Sequence, residues 1–420
     1  MRRPRLSLFA TAACLALAMA MVAAPSPARA GSHERSPALS RLAAKVAQAF
    51  HGSAARHVDY RMQVDGVGTI SHHANTSSAP ASNEKLLTTA ALLFEAGPSF
   101  RYVTRVYGSA AVDPGGTLAG DLTLVGSGDP TLTHGDLAGI ARQLHKQGLR
   151  RVTGSIVIDD SRYSHGTRAP GWKHDFLPEE SGAVDAFSVD NDNWQSNKSF
   201  LADPTHANAG LWRKALRHVG IHVRGPIKVQ PAPTGTRVLL TSHRSRPLSK
   251  IVNMTLRESI NYYAEMMLRE AGFHFTGRHG NRATGIAAVQ RMAHRLSLPL
   301  GRFFDGSGLS YRDRETPGNF VAWLTKLPQL SAVYKTIYSG LPVSCRPNGT
   351  LKSRLCGPHV KGVVHAKTGT LDHISTLSGY TTTEGGRSVT FSILLSGIRN
   401  TATAIKHIDA AVAAVVRSRA

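Results

Sequence analysis

A chain of 420 residues, 41% of them apolar and only 18% charged, exceeds one ordinary domain and can bury a sizeable core, which excludes a disordered protein. Fifty lysines and arginines against 27 acidic residues give a formal charge of +23, which suits either an anionic partner or a highly charged soluble surface. No basic run is interleaved with aromatics as in a nucleic-acid site, so nucleic acid is not the expected partner.

The first 30 residues stand apart. Arg2, Arg3 and Arg5 precede an apolar run from Leu6 to Ala24, and Ala28-Arg29-Ala30 is a small-x-small cleavage pattern. Residues 1–30 are therefore expected to be a secretory signal peptide, with an uncleaved anchor as the alternative. The segment holds four arginines and no acid, so its removal lowers the formal charge from +23 to +19. An exported basic protein meets the carboxylates and polyphosphates of a cell wall, which makes anionic wall polymers a candidate partner. Export also frames Cys345 and Cys356, which fit either a disulfide closing a small loop or two buried free thiols.

Apolar spacing of helical period marks 38–50 as an opening helix, followed by strands at 57–64 and 68–72. Residues 85–94 read as a buried helix. From about 100 to 248 the texture changes to short strands (103–107, 121–125, 155–159, 221–223, 227–229 and 237–241), with a helix at 135–148 and a polar stretch at 172–199. Helical texture returns at 250–270 and 284–295. Strands at 362–370, 376–383 and 388–395 follow, with Glu384-Gly385-Gly386 turning a hairpin, and 402–416 closes the chain as a helix. The expected class is α+β: residues 31–99 and 249–420 form an antiparallel sheet flanked by helices, split by a strand-rich insert at 100–248 of one or two small domains.

Three strings carry the chemistry, each occurring once and in this order: Ser82-Asn83-Glu84-Lys85, Ser259-Ile260-Asn261 and Lys367-Thr368-Gly369. At i and i+3 on a helix, Ser82 and Lys85 share a face. A helix N-terminus favours negative charge and disfavours an ammonium, which would leave Lys85 a neutral base beside a serine nucleophile. Ser259 and Asn261, at the entrance to the next helix, can reach one cleft as proton relay and amide anchor. Lys367 and Thr368 on a strand suit a free carboxylate, and Gly369 permits close approach to the backbone. The N–H groups of Thr370 and Ser82 form a candidate oxyanion hole. Taken singly, each string has an ordinary reading as a helix cap or an edge strand. Their ordered co-occurrence favours the catalytic one. Twenty histidines contain no His-Glu-x-x-His or other close ligand cluster, so no metal is expected.

These motifs resemble those of the low-molecular-mass penicillin-binding proteins, specifically the class C, penicillin-binding protein 4 type of D-alanyl-D-alanine carboxypeptidase/endopeptidase. The resemblance extends through Gly126-Ser127-Gly128-Asp129-Pro130-Thr131-Leu132, Ile156-Val157-Ile158-Asp159-Asp160-Ser161, Ala186-Phe187-Ser188-Val189 and Asp305-Gly306-Ser307-Gly308-Leu309-Ser310. It implies a β-lactamase/transpeptidase-like catalytic fold and no metal or other cofactor. It also implies hydrolysis of D-Ala-D-Ala ends or cross-links of peptidoglycan peptides, and acylation by penicillin and other β-lactams. By the same resemblance Ser82 is the acylated nucleophile and Lys85 its base. Ser259 and Asn261 are relay and amide anchor, and Lys367, Thr368 and Gly369 form the carboxylate-binding strand. Two positions depart from the family pattern. Ile260 stands where aspartate is most common, and Tyr311 where relatives often carry arginine, which leaves stem-peptide preference and the carboxypeptidase-to-endopeptidase balance open. The rival readings are a serine β-lactamase, for which a Glu-x-x-x-Asn string and a compact chain are lacking, and a catalytically idle cationic wall-binding protein. The sequence leaves the oligomeric state open.

Overall fold

The computed structural model describes residues 36–166, 168–192, 203–235 and 237–419. The expected signal segment, 1–30, lies outside the described residues, as does the end of the polar stretch from 193 onward. Among the described residues no helix is long and apolar enough to cross a membrane.

The chain ends build one sheet together. The strand His57–Val64 alternates Tyr60, Met62 and Val64 inward. It pairs antiparallel with its neighbour Gly68–His72 and, across more than 300 residues of sequence, with Ser388–Ser396. Adding Ile374–Thr382 and the edge strand His365–Leu371 completes five antiparallel strands. One face is covered by the first and last helices. Pro37–Ala49 starts where Ser36 Oγ accepts the Leu39 N–H, and Thr401–Val416 starts where Asn400 Oδ1 accepts the Thr403 N–H. Leu42, Val46, Ile408 and Val412 pack there against Met62 and Phe391.

The other face carries the helices Lys85–Ala96, Leu248–Glu258, Asn261–Thr276, Arg282–Arg295, Pro317–Lys326 and Ser331–Gly340. From Lys85 to Leu93 every residue of the first is buried. A helix covered on all sides is core rather than surface, so the lysine at its N-terminus starts in a dry environment. The helical texture expected over 250–270 is broken in the structure: one helix ends at Glu258, Ser259 takes a left-handed φ of 59°, and the next begins at Asn261. The strand expected from 362 begins only at His365.

Among the described residues, the eight remaining strands fall between 103 and 244. Five form a mixed sheet in the order Val238–Arg244, Val103–Gly108, Leu122–Val125, Ile156–Asp159, Ile227–Val229, and three short ones form a parallel sheet. The helices His134–Lys146 and Pro204–His218 pack with them around Trp212, Phe187 and Ile158. Parallel pairing there follows from the helical crossovers between strands. The region from 100 to 248 is thus more helical than its sequence texture indicates.

Candidate active site

The turn that holds Ser82 is wedged between the antiparallel sheet and the helical layer. Ala81–Glu84 forms a single 3₁₀ turn that runs into the helix at Lys85. Ala81 itself has a left-handed φ of 48°. Two glycines make room for this turn. A Cβ on Gly308, whose φ is +78°, would lie 2.0 Å from the Ala81 carbonyl oxygen. One on Gly369 would meet Thr376 Oγ1 at 2.2 Å and Ala81 Cβ at 3.0 Å. At Gly369 the missing side chain makes room for the turn that holds Ser82. Asn83 Nδ2 donates to Ser378 Oγ at 2.6 Å and Thr376 Oγ1 to the Pro80 carbonyl at 3.0 Å, which bolts the turn to the sheet.

Lys85 is completely buried, and its Nζ donates to Ser82 Oγ at 2.8 Å, Asn261 Oδ1 at 2.7 Å and the Ser307 carbonyl at 2.6 Å. Burial lowers its pKa from 10.5 to about 8, against the opposing charges of Asp305, Glu265, Glu84 and Glu180. A neutral amine keeps only two N–H groups. Asn261 Oδ1 and the Ser307 carbonyl can only accept, whereas the Ser82 hydroxyl can donate, so the lone pair of the neutral amine is directed at Ser82.

The bend between the two helices turns Ser259 toward the edge strand. Lys367, also completely buried, donates from Nζ to Ser259 Oγ at 2.8 Å and to the Thr368 carbonyl at 2.8 Å. Burial first, and the charge of Lys85 second, hold its pKa well below the ordinary lysine value. Ser82, Ser259, Asn261, Thr368 and Thr370 line one cleft of about 440 Å³. All three motifs therefore converge, as their order in the sequence implied.

Several contributors carried no clear sequence signal. Thr350 Oγ1 lies 2.7 Å from Thr368 Oγ1. Its loop is closed by the Cys345–Cys356 disulfide, so the pairing alternative holds over the free thiols. Replacing both cysteines by serine is expected to cost about 2–3 kcal/mol in urea unfolding, from the loop entropy released over the 11-residue separation. It is also expected to raise KM for carboxylate-ended peptides by loosening Thr350.

Beneath the site, Asp305 accepts from the N–H groups of Gly308 at 2.7 Å and Ser310 at 2.8 Å and from Trp172 Nε1 at 2.5 Å, while Glu265 accepts from those of Gly306 and Ser307. These bonds shape the 305–310 loop that presents the Ser307 carbonyl to Lys85. The carboxyl oxygens of Glu84, Asp305 and Asp313 lie within 4.8 Å of one another, all buried. Asp305 is engaged by N–H donors on both oxygens. Burial, then the neighbouring carboxylates, push Glu84 and Asp313 well above the ordinary range, which lets this pair share a proton.

Comparison with known proteins follows this geometry. The sequence profile described as the D-Ala-D-Ala carboxypeptidase 3 (S13) family matches residues 47–197 and 195–418. The chain belongs to that family. It is accordingly a serine-type peptidase of the D-Ala-D-Ala carboxypeptidase class. It is 24% identical over 402 residues to the D-alanyl-D-alanine carboxypeptidase DacB of Haemophilus influenzae, covering 78% of this chain and 82% of the relative. It is 27% identical over 398 residues to a D-alanyl-D-alanine carboxypeptidase of Actinomadura sp. strain R39, covering 76% and 73%. The crystal structure of Haemophilus influenzae penicillin-binding protein 4 superposes with a TM-score of 0.78 at 20% identity, over 86% of this chain and 98% of that one, which establishes the α+β fold. A predatory endopeptidase of Bdellovibrio bacteriovorus, in complex with its immunity protein, shares the fold at a TM-score of 0.54 and 17% identity, over 85% of this chain and 91% of that one.

Proposed function

We propose that Ser82 is the nucleophile and Lys85 the base of a D-Ala-D-Ala carboxypeptidase and endopeptidase reaction on peptidoglycan stem peptides and cross-links. The observation that carries this reading is the 2.8 Å contact between Lys85 Nζ and Ser82 Oγ, where burial brings the pKa of the amine down to about 8. Ser82 Oγ attacks the carbonyl of the penultimate D-alanine as its proton passes to Lys85 Nζ. The oxyanion accepts from the N–H groups of Ser82 and Thr370. The C–N bond breaks, the proton held on Lys85 passes through Ser259 to the departing D-alanine amine, and Lys367 holds that hydroxyl in place. Water then hydrolyses the ester, releasing the shortened peptide and Ser82. Lys367, Thr368 and Gly369 receive the terminal carboxylate, with Thr350 steadying Thr368. Residues 100–248 are read as an insert into the catalytic domain, and export, peptidoglycan and anionic wall polymers as the setting of a strongly basic chain.

Penicillin presents its strained amide in place of the D-Ala-D-Ala bond. Incubation with labelled penicillin followed by intact and peptide mass spectrometry is expected to place a lasting adduct on the peptide holding Ser82. The Ser82→Ala protein is expected to carry none. Rapid drug turnover without an adduct would instead identify a β-lactamase, and no reaction would leave the wall-binding reading.

A further inference from the structure

The insert sends a strap across the cleft, and its last residue touches the catalytic motifs. The strap is fixed at three points. Trp172 Nε1 donates to Asp305 Oδ2, the Lys173 ammonium pairs with Asp372 beside the Lys-Thr-Gly strand, and Phe176 stacks on Tyr311 with ring centroids 6.3 Å apart. It ends at Glu180, which is exposed to the cleft. Asn261 Nδ2 donates both to the Glu180 carbonyl and to its Oε2, each at 3.0 Å.

A carboxamide can present either its oxygen or its nitrogen in a given direction. Turned over, Asn261 would aim its NH₂ at the Lys85 nitrogen, itself a donor, and its oxygen at two acceptors on Glu180. Glu180 therefore holds Asn261 in the one orientation that faces Oδ1 toward Lys85. That orientation also sets where the Lys85 lone pair points. Sequence gives no sign of this link, because Glu180 lies between the first two motifs in a stretch with no signature of its own.

We propose that Glu180 is a positioning residue for acylation: by fixing the carboxamide of Asn261 it directs the Lys85 lone pair at the Ser82 hydroxyl. The insert thus completes the catalytic machinery. This inference rests on the reading of Ser82 and Lys85 as nucleophile and base. The Glu180 charge has a second consequence, since it acts with Asp305, Glu265 and Glu84 to favour the Lys85 ammonium, while Lys367 is the opposing cation nearby.

The test compares Glu180→Ala and Glu180→Gln with the full parent chain in penicillin acylation and in hydrolysis of a small D-Ala-D-Ala peptide, with melting temperatures as a folding control. E180A is expected to acylate about tenfold more slowly, with KM for the peptide unchanged. E180Q retains an acceptor oxygen and is expected to recover most of the rate. Having lost the negative charge, it should lower the Lys85 pKa, so the acid limb of its pH–rate profile moves to lower pH. In an Asn261→Ala background, E180A should add no further loss. The proposal is overturned if E180A matches the parent, if its defect lies wholly in KM, if E180Q is as slow as E180A, or if the losses from E180A and N261A add. A parent chain that penicillin does not acylate would remove the nucleophile–base reading as well. The variant comparisons, by contrast, bear on Glu180 alone.

Discussion

Lys85→Ala protein is expected to be acylated by penicillin about a thousandfold more slowly than the parent while remaining folded by circular dichroism. General-base assistance contributes on the order of a hundred- to ten-thousandfold, and no other side chain within hydrogen-bond reach of Ser82 Oγ among the described residues can accept its proton. The parent should also show a diagnostic pH dependence. Burial disfavours the ammonium and brings the pKa of Lys85 down from 10.5 to about 8, and only the neutral amine is a base. The acylation rate should therefore climb as pH rises through about 8 and level off well below 10.5. Stopped-flow acylation across that range checks the point. A profile flat through pH 8, or a Lys85→Ala protein acylating at the parent rate, would dismiss Lys85 as the base.

The second large effect is on stability, where the loop after the strand Ile156–Asp159 meets the helix Asn261–Thr276. Glu270, completely buried on the helix Asn261–Thr276, accepts from Arg162 Nε at 2.9 Å and Nη2 at 2.5 Å and from the Tyr163 hydroxyl at 2.6 Å. Glu270→Gln keeps the shape but leaves the Arg162 guanidinium facing a neutral group, and is expected to cost about 3–5 kcal/mol in urea unfolding. Burial by itself would raise the Glu270 carboxyl, but the hydrogen bonds and charge of Arg162 outweigh it and hold the carboxyl below its ordinary 4.5. A depressed carboxyl stabilises above its unfolded value and loses that contribution as pH falls through the folded one. The gap between parent and variant should therefore be full at pH 7 and close progressively below about pH 4.5. A difference under about 1 kcal/mol at pH 7 would mean the pair holds nothing together.

Most of the five-stranded antiparallel sheet was legible because its pattern is local. His57–Val64 and Gly68–His72 match the expected strands residue for residue, and the Glu384-Gly385-Gly386 turn lies between Ile374–Thr382 and Ser388–Ser396 as read. The helices Pro204–His218, Pro317–Lys326 and Ser331–Gly340 were missed. The first two carry readable starts, Asp203-Pro204 and Thr316-Pro317, each an N-cap followed by proline at the first turn. Phe320 to Leu324 is an unbroken apolar run that periodicity cannot tell from a strand, and Pro204–His218 buries polar Thr205 and Asn208 beside Leu211, Trp212 and Leu216. The helix entrance at Asn261 was read from the motif, but the left-handed backbone of Ser259 was not: nothing local demands it, and contacts across the fold hold it there.

By itself, the sequence determined which residue types stand at the site. The three motifs require only short spacings on a helix, at a bend and on a strand, and such spacings are written in neighbouring residues. It also determined the class of fold, since periodicity and turn residues are local properties. Tertiary structure alone decided what those residues can do. The Lys85 amine titrates near 8 because helices and a sheet distant in sequence close around it. Gly308 and Gly369 are spaces for one turn only after the loop and edge strand reach it. Thr350 and Glu180 arrive from a disulfide loop and from the strap, carrying no motif to announce them. Desolvation and hydrogen-bond direction depend on what surrounds a group in space, and no local pattern in a chain encodes that.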